Sequence, residues 1–226
     1  MKNKTKSVLI ITANPHEQGW GHLARMKILS RELNKNNIHS DLITSDNITS
    51  LNSFLNCDLV ILDDRDSAFP EQYLLKKKIA IDNRGIGRSQ ADFIWDTLPH
   101  FSMSGEEFLL CLDKILLHPK ISKLQSKSVF ARINKIEKTK NQYDKNKLSH
   151  EQFIEEIIKS TIIECYFGQT LFESIYLGKE IRLYDIGDYH KKLSNWFLKK
   201  WNSLSNEKKL IDGKGLKRLV DFIINI

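Results

Sequence analysis

The segment Gly19-Trp20-Gly21-His22-Leu23-Ala24-Arg25 follows an apolar run, Ser7–Ala13, and precedes an amphipathic stretch. That order spells strand, glycine turn and helix start. A helix N-terminus offers unpaired N–H groups and the positive end of the helix dipole, and both attract anions. Gly19 and Gly21 let a ligand approach the backbone, and His22 is placed to move a proton near neutral pH. Gly19, Gly21 and Arg25 are therefore candidate substrate-binding residues and His22 the candidate catalytic one. The same residues also fit a softened strand–helix turn with a solvated histidine, because so short a glycine motif is weak evidence.

Two further groups end apolar runs. Asp63-Asp64-Arg65-Asp66 follows Cys57–Leu62, and Asp82-Asn83-Arg84 follows Lys78–Ile81. Asp63, Asp64, Asp82 and Asn83 could hold sugar hydroxyls, or they could simply terminate strands and cap the next helices. No histidine joins these carboxylates at a metal-ligand spacing, so no metal is expected. The last group is Gly168-Gln169-Thr170, with Glu173 three residues on and Gly178 beyond. A glycine turn into a helix again cradles an anion. Thr170 can bond a phosphate oxygen, whereas Glu173 suits a ribose diol because like charges repel. Glu173 also fits a plain complement to the helix dipole.

All four groups fall at the carboxyl ends of expected strands, where open α/β sheets bind ligands. In the first half, strands are expected at Ser7–Ala13, Ile38–Thr44, Cys57–Leu62, Lys78–Ile81 and Phe93–Trp95. Leu23, Met26, Leu29 and Leu33 recur at helical spacing between the first two. Short helices are expected over Asn47–Asn56 and Phe69–Lys77. Near-continuous apolar strands argue for a parallel sheet covered on both faces. Ser104, with Glu107 three residues later, opens an expected long helix to Leu117. The polar stretch 120–127 is read as a join between lobes, Ser128–Ile133 as a strand, and the charged segment 134–147 as a loop. Later come a helix capped by Ser149, strands at Thr161–Tyr166 and Ile181–Tyr184, and closing helices over Lys191–Trp201 and Gly215–Ile224. Trp196, Phe197 and Trp201 form a stripe read as core.

A chain of 226 residues with 41% hydrophobic and 28% charged content has an ordinary globular composition. It contains no apolar run of the roughly 18 residues that a membrane span needs and no signal-peptide pattern. Cys57, Cys111 and Cys165 are far apart in apolar surroundings, read as buried free thiols in a cytoplasmic protein. The net charge of +7 is spread among asparagines and isoleucines with no groove-reading motif. A lysine-rich surface, rather than nucleic-acid binding, is expected, and a mild positive field suits an anionic small substrate.

Gly19-x-Gly-His-x-x-Arg25 together with Gly168-x-Thr-x-x-Glu173 resembles the paired signature of GT-B-fold UDP-sugar enzymes. The likeness is to the UDP-sugar hydrolases of pseudaminic acid biosynthesis and, more distantly, to the peptidoglycan N-acetylglucosaminyltransferase. Cys57–Asp64 and Ile79–Asn83 resemble strand ends of the same family. The glycine-rich loop that opens the second domain of the family has no counterpart here, and Phe167 stands beside Gly168 where a second glycine is usual. The resemblance implies an α/β fold of two Rossmann-like lobes facing across a cleft, residues 1–120 and 121–226, with the second lobe reduced. It implies a nucleotide-sugar hydrolase releasing UDP from an amino-deoxy sugar in surface-glycan or nonulosonic acid biosynthesis, with no cofactor. His22 would activate water, while Gly168, Gln169, Thr170 and Glu173 would hold the nucleotide. A glycosyltransferase of the same fold and a non-catalytic diverged binding protein stand as the alternatives.

Overall fold

The computed structural model describes residues 6–47, 56–137, 148–204 and 211–226. The expected helix over Asn47–Asn56 and most of the charged segment 134–147 lie outside the described residues. The chain forms two compact units. The first comprises residues up to Thr97 together with Lys217–Ile226, and the second runs from Leu98 to Leu216. The division therefore falls after Thr97, not near residue 120, and the C-terminal segment returns to the first unit.

The first unit is built on five parallel strands: β1 (Ser7–Thr12), β2 (His39–Thr44), β3 (Leu59–Asp63), β4 (Lys77–Ile81) and β5 (Phe93–Trp95), in the order β2-β1-β3-β4-β5. Burial follows that order. Every residue of β3 is buried, as are all but the first residues of β1 and β4, whereas the edge strands β2 and β5 are mostly half-exposed. Interior strands of a parallel sheet are covered on both faces, which is why they read as unbroken apolar runs. On one face, Leu9, Ile11, Val60, Leu62 and Ala80 pack with Cys57, Phe69 and Tyr73.

A short helix α1 (Pro15–Gln18) and the long helix α2 (Trp20–Lys35) follow β1. Met26, Leu29 and Leu33 of α2 are fully buried, each worth about 1.5–3 kcal/mol of transfer free energy. The break between α1 and α2 is Gly19, at φ 90° and ψ 159°, a region that is essentially closed to other residues. The expected helix over Phe69–Lys77 is only a 3₁₀ turn at Glu71–Tyr73. Lys78 Nζ bonds the carbonyls of Leu74 and Lys76, which draws the chain into β4. A short helix α3 (Ile86–Gln90) precedes β5. Phe222, near the C-terminus, packs its ring against those of Phe93 and Trp95, with centroids 5.1 and 5.6 Å away.

The second unit holds three parallel strands, β6 (Arg132–Lys135), β7 (Ile162–Cys165) and β8 (Glu180–Leu183), in the order β6-β8-β7. Helices α4 (Gly105–Leu112), α5 (Pro119–Ser122), α6 (His150–Lys159), α7 (Gln169–Tyr176) and α8 (Asp188–Ser203) accompany them, and α9 (Gly215–Asn225) leads back into the first unit. Here the strands alternate: Ile163, Cys165, Ile181 and Leu183 are buried, while Ile162 and Glu164 are exposed. Arg182 and Glu164 pair on the exposed side at 3.4 Å. This sheet thus packs one face on its core and leaves the other to water, unlike the first. The core adds Leu171, Phe172, Ile175, Phe197 and Trp201, with Trp196 packed against it, so the aromatic stripe is core as expected.

Ser104 and Glu107 make the capping box of α4, but the helix ends at Leu112, not Leu117. Ile115, Leu116 and Leu117 are all buried, and three consecutive side chains cannot share one helix face. The expected strand from Ser128 is a 3₁₀ turn at Ser128–Phe130, and the strand begins only at Arg132. Among the described residues, no helix is long and apolar enough to cross a membrane, and Cys57, Cys111 and Cys165 are buried and in no disulfide.

Candidate functional site

In the order β2-β1-β3-β4-β5 the chain turns in opposite directions from β1 and β3, and the crevice beyond their carboxyl ends is where such sheets bind ligands. Helix α2 starts there. Its N-cap, Gly19, offers no side-chain acceptor to the first-turn N–H groups. His22 lies in that first turn and Arg25 one turn on, so the i, i+3 spacing aims both at the end of β3. Alternation puts Asp63 on the sheet face opposite Leu62, and its carboxylate meets both side chains.

His22 Nδ1 lies 2.9 Å from Asp63 Oδ1. Arg25 donates from Nε to Asp63 Oδ2 at 2.8 Å and from Nη2 to Asp63 Oδ1. Its Nη1 reaches Asp82 Oδ2 at 2.7 Å and Thr97 Oγ1 at 2.8 Å. Thr97 completes the group, donating from Oγ1 to Asp82 Oδ2 at 2.5 Å and from its backbone N–H to Asp82 Oδ1 at 2.6 Å. Asp82 holds this position at φ 49°, a left-handed conformation that aspartate tolerates better than most residues. Strain of this kind, of order 1–3 kcal/mol, persists where the surroundings over-determine it.

Burial sets the electrostatics. Arg25 is 1% exposed and Asp63 0%. Burial by itself would push the Asp63 carboxyl up, but Arg25 and then His22 outweigh it and hold the group at about 2. Burial likewise opposes the Arg25 charge, and Asp63 and Asp82 overcome it, so its pKa is raised. An ionised Asp63 only accepts, so His22 Nδ1 carries the proton toward it and Nε2 keeps its lone pair. Arg25 Nη2, also 3.2 Å from Nδ1, has Asp63 as its acceptor. With the His22 side chain 15% exposed, the arrangement is an oriented imidazole base with a buried carboxylate behind it.

The remaining candidates in this unit hold loops. Asp64 Oδ1 accepts from Gln18 Nε2 at 3.0 Å and from the N–H groups of Asp66 and Ser67. Gln18 Oε1 in turn accepts the Arg65 N–H. These bonds tie the turn after β1 to the turn after β3. Asn83, fully buried, spends its amide on the carbonyls of Asp64 and Ser67 and its oxygen on the N–H groups of Gly85 and Arg88. Gly21 sits in the first turn of α2, half-exposed.

The second group lies in the second unit. Gly168 is the extended N-cap of α7, Gln169 its first residue and Thr170 its second, all three half-buried. Glu173 is in the second turn, not the first, and only 3% exposed. Gln169 Nε2 bonds the Leu116 carbonyl at 2.6 Å and lies 3.4 Å from Glu173 Oε1. Burial pushes the Glu173 carboxyl up to about 7, against the pull of Gln169 and the His118 N–H. Burial first, and the Glu173 charge second, push the Cys165 thiol up to about 12.

Sequence reasoning did not single out Thr97 and Gln18. Thr97 stands two residues beyond β5, so the rule that flagged Asp63 and Asp82, applied to the fifth strand, reaches it. Gln18 gave no signal. Among the described residues no cluster of three or more His, Cys, Asp or Glu is arranged to hold a metal. Set against known protein families, curated proteins and solved structures, the chain matches none of them.

Proposed function

We propose that this chain is a nucleotide-sugar enzyme, a hydrolase that releases UDP from an amino-deoxy sugar, with His22 as general base. The observation that carries this reading is the His22 Nδ1–Asp63 Oδ1 bond at the sheet's switch point. It leaves Nε2 as a proton acceptor at the N-terminus of α2, where an anionic substrate is favoured. A base so held supplies about 10²–10⁴-fold, and the rest of the acceleration comes from holding the diphosphate and the sugar. On this reading the two units correspond to the two lobes of a GT-B-like enzyme, with Gly168, Gln169 and Thr170 on the nucleotide side. Asp63 acts through His22, while Asp64 and Asn83 shape the loops around the substrate. Whether water or a sugar hydroxyl is the acceptor separates hydrolase from transferase.

The test is UDP release from a panel of UDP-sugars near neutral pH, beside calorimetry with UDP. Wild type is expected to release UDP, and His22→Ala to lower turnover by roughly 10²–10⁴-fold with UDP binding little changed. Equal turnover by the two proteins, or no UDP binding at millimolar concentration, overturns the assignment.

The burial of Glu173 favours a second reading of the second unit. A carboxylate facing a ribose diol would contribute about 1–3 kcal/mol, so Glu173→Ala would weaken UDP about ten- to a hundredfold while sparing pyrophosphate. A Glu173 that only joins α7 to the segment around His118 leaves UDP affinity unchanged, as a non-catalytic binding protein of this fold would also allow.

A further inference from the structure

Five side chains from four elements form one continuous hydrogen-bonded run, Thr97–Asp82–Arg25–Asp63–His22. His22, at the end of the run, is its most exposed member, at 15% of its side chain against 8% for Asp82. We propose that Asp82 and Thr97 are positioning residues for His22, acting through Arg25 and Asp63; this rests on the reading of His22 as the base. Arg25 can rotate about its long side chain, and two contacts to Asp63 alone leave one end of the guanidinium unheld. Asp82 and Thr97 take Nη1 from the far side and fix the plane of the fork. Nε and Nη2 then fall on the two oxygens of Asp63, which sets the oxygen that Nδ1 meets. The left-handed backbone of Asp82 turns its carboxylate back over the sheet end to reach both partners.

The run also carries a charge balance. Arg25 supplies one positive charge, and Asp63 and Asp82 supply two negative ones. With neutral His22 the buried cluster is therefore net negative by one charge. A proton taken up by His22 makes the cluster neutral. Asp63 alone would already be balanced by Arg25. The positive end of α2, where His22 sits, opposes the imidazolium, and Asp64, on the loop after β3, is held by Gln18.

The experiment is NMR of the ¹⁵N-labelled His22 ring in the full chain, followed from pH 5 to 9, with kcat and KM on any UDP-sugar found to turn over. Wild type is expected in the Nδ1–H form. In Asp82→Asn the Nε2–H form becomes visible. Thr97→Val, which removes one hydroxyl, shows the tautomer change, and Thr97→Ser reverses it. Turnover falls roughly 10–100-fold in Asp82→Asn, in line with a small misplacement of a catalytic group, while KM stays within about twofold. Should Asp82→Asn not fold, Thr97→Val and Thr97→Ser decide. An unchanged His22 ring in folded Asp82→Asn or Thr97→Val overturns the inference. The NMR readout needs no substrate, so failure of every UDP-sugar to react refutes the proposed function without deciding the positioning role.

Discussion

Replacing Glu173 by glutamine removes a buried charge while keeping the shape of the side chain. In the native state burial raises this carboxyl from the ordinary 4.5 to about 7. Between those values the folded protein binds a proton that the unfolded chain has released, so stability falls as pH rises through that window. Below pH 4.5 both states are protonated and nothing is lost, and above pH 7 the full cost is present. A shift from 4.5 to about 7 corresponds to about 3 kcal/mol, of which about 2–3 kcal/mol develops between pH 5 and 8. Glutamine does not titrate, so the variant is spared that loss. For a chain of this size 1 kcal/mol moves Tm by roughly 2–4 °C. Thermal unfolding followed by far-UV circular dichroism at pH 5 and pH 8 is the assay. Glu173→Gln is expected to unfold close to wild type at pH 5 and roughly 4–10 °C higher at pH 8. Parallel pH dependence of the two proteins, or a variant less stable at pH 8, refutes the argument from burial.

Asp63 is expected to act in the opposite direction. Its carboxyl is held at about 2 instead of 3.8, so its stabilisation is complete above pH 4 and lost as pH falls toward 2; Asp63→Asn should flatten that part of an acid-unfolding curve. Asp63→Ala removes the acceptors of Arg25 Nε and Nη2 while Asp82 still balances the charge, and is expected to cost about 1–3 kcal/mol, read by urea unfolding. Gly19→Ala forces a side chain into φ 90° and ψ 159° and should cost about 1–3 kcal/mol, with any UDP-sugar turnover falling as His22 moves; an unaltered urea midpoint would contradict it. Gly178→Ala meets both φ 69° and the Lys127 carbonyl oxygen 2.6 Å from the new Cβ, so the second unit should unfold at lower urea than wild type.

The first sheet was legible because its interior strands are apolar on both faces, and runs such as Val8–Ile11 and Leu59–Leu62 admit few other readings. The same logic found Asp63 and Asp82 at strand ends and His22 and Arg25 in one helix turn. What periodicity did not carry is the direction of the polar groups. Arg25, Asp63 and Asp82 could each face a substrate in sequence, yet in the fold they face one another, because a buried guanidinium needs carboxylates on both sides. Glu173 falls in the second turn of α7 because the helix starts at Gln169, two residues before its first large apolar side chain. The 3₁₀ turns at Glu71–Tyr73 and Ser128–Phe130 escaped notice because their apolar residues imitate a helix and a strand over too short a stretch. The break after Thr97 left no mark in composition, since what defines it is the distant return of α9.

That return affects how the protein is made. Phe93 and Trp95 emerge from the ribosome about 130 residues before Phe222, the ring that packs on them. At about 5–20 residues per second, the two aromatic side chains wait roughly 6–26 s without that cover. The carbonyl of Ile223, which Lys6 Nζ bonds at 2.6 Å, comes later still. The first unit thus starts folding first and is sealed last, with the whole second unit synthesised in between. Aromatic side chains left uncovered for that interval are the kind of apolar surface that sticks to the wrong chain.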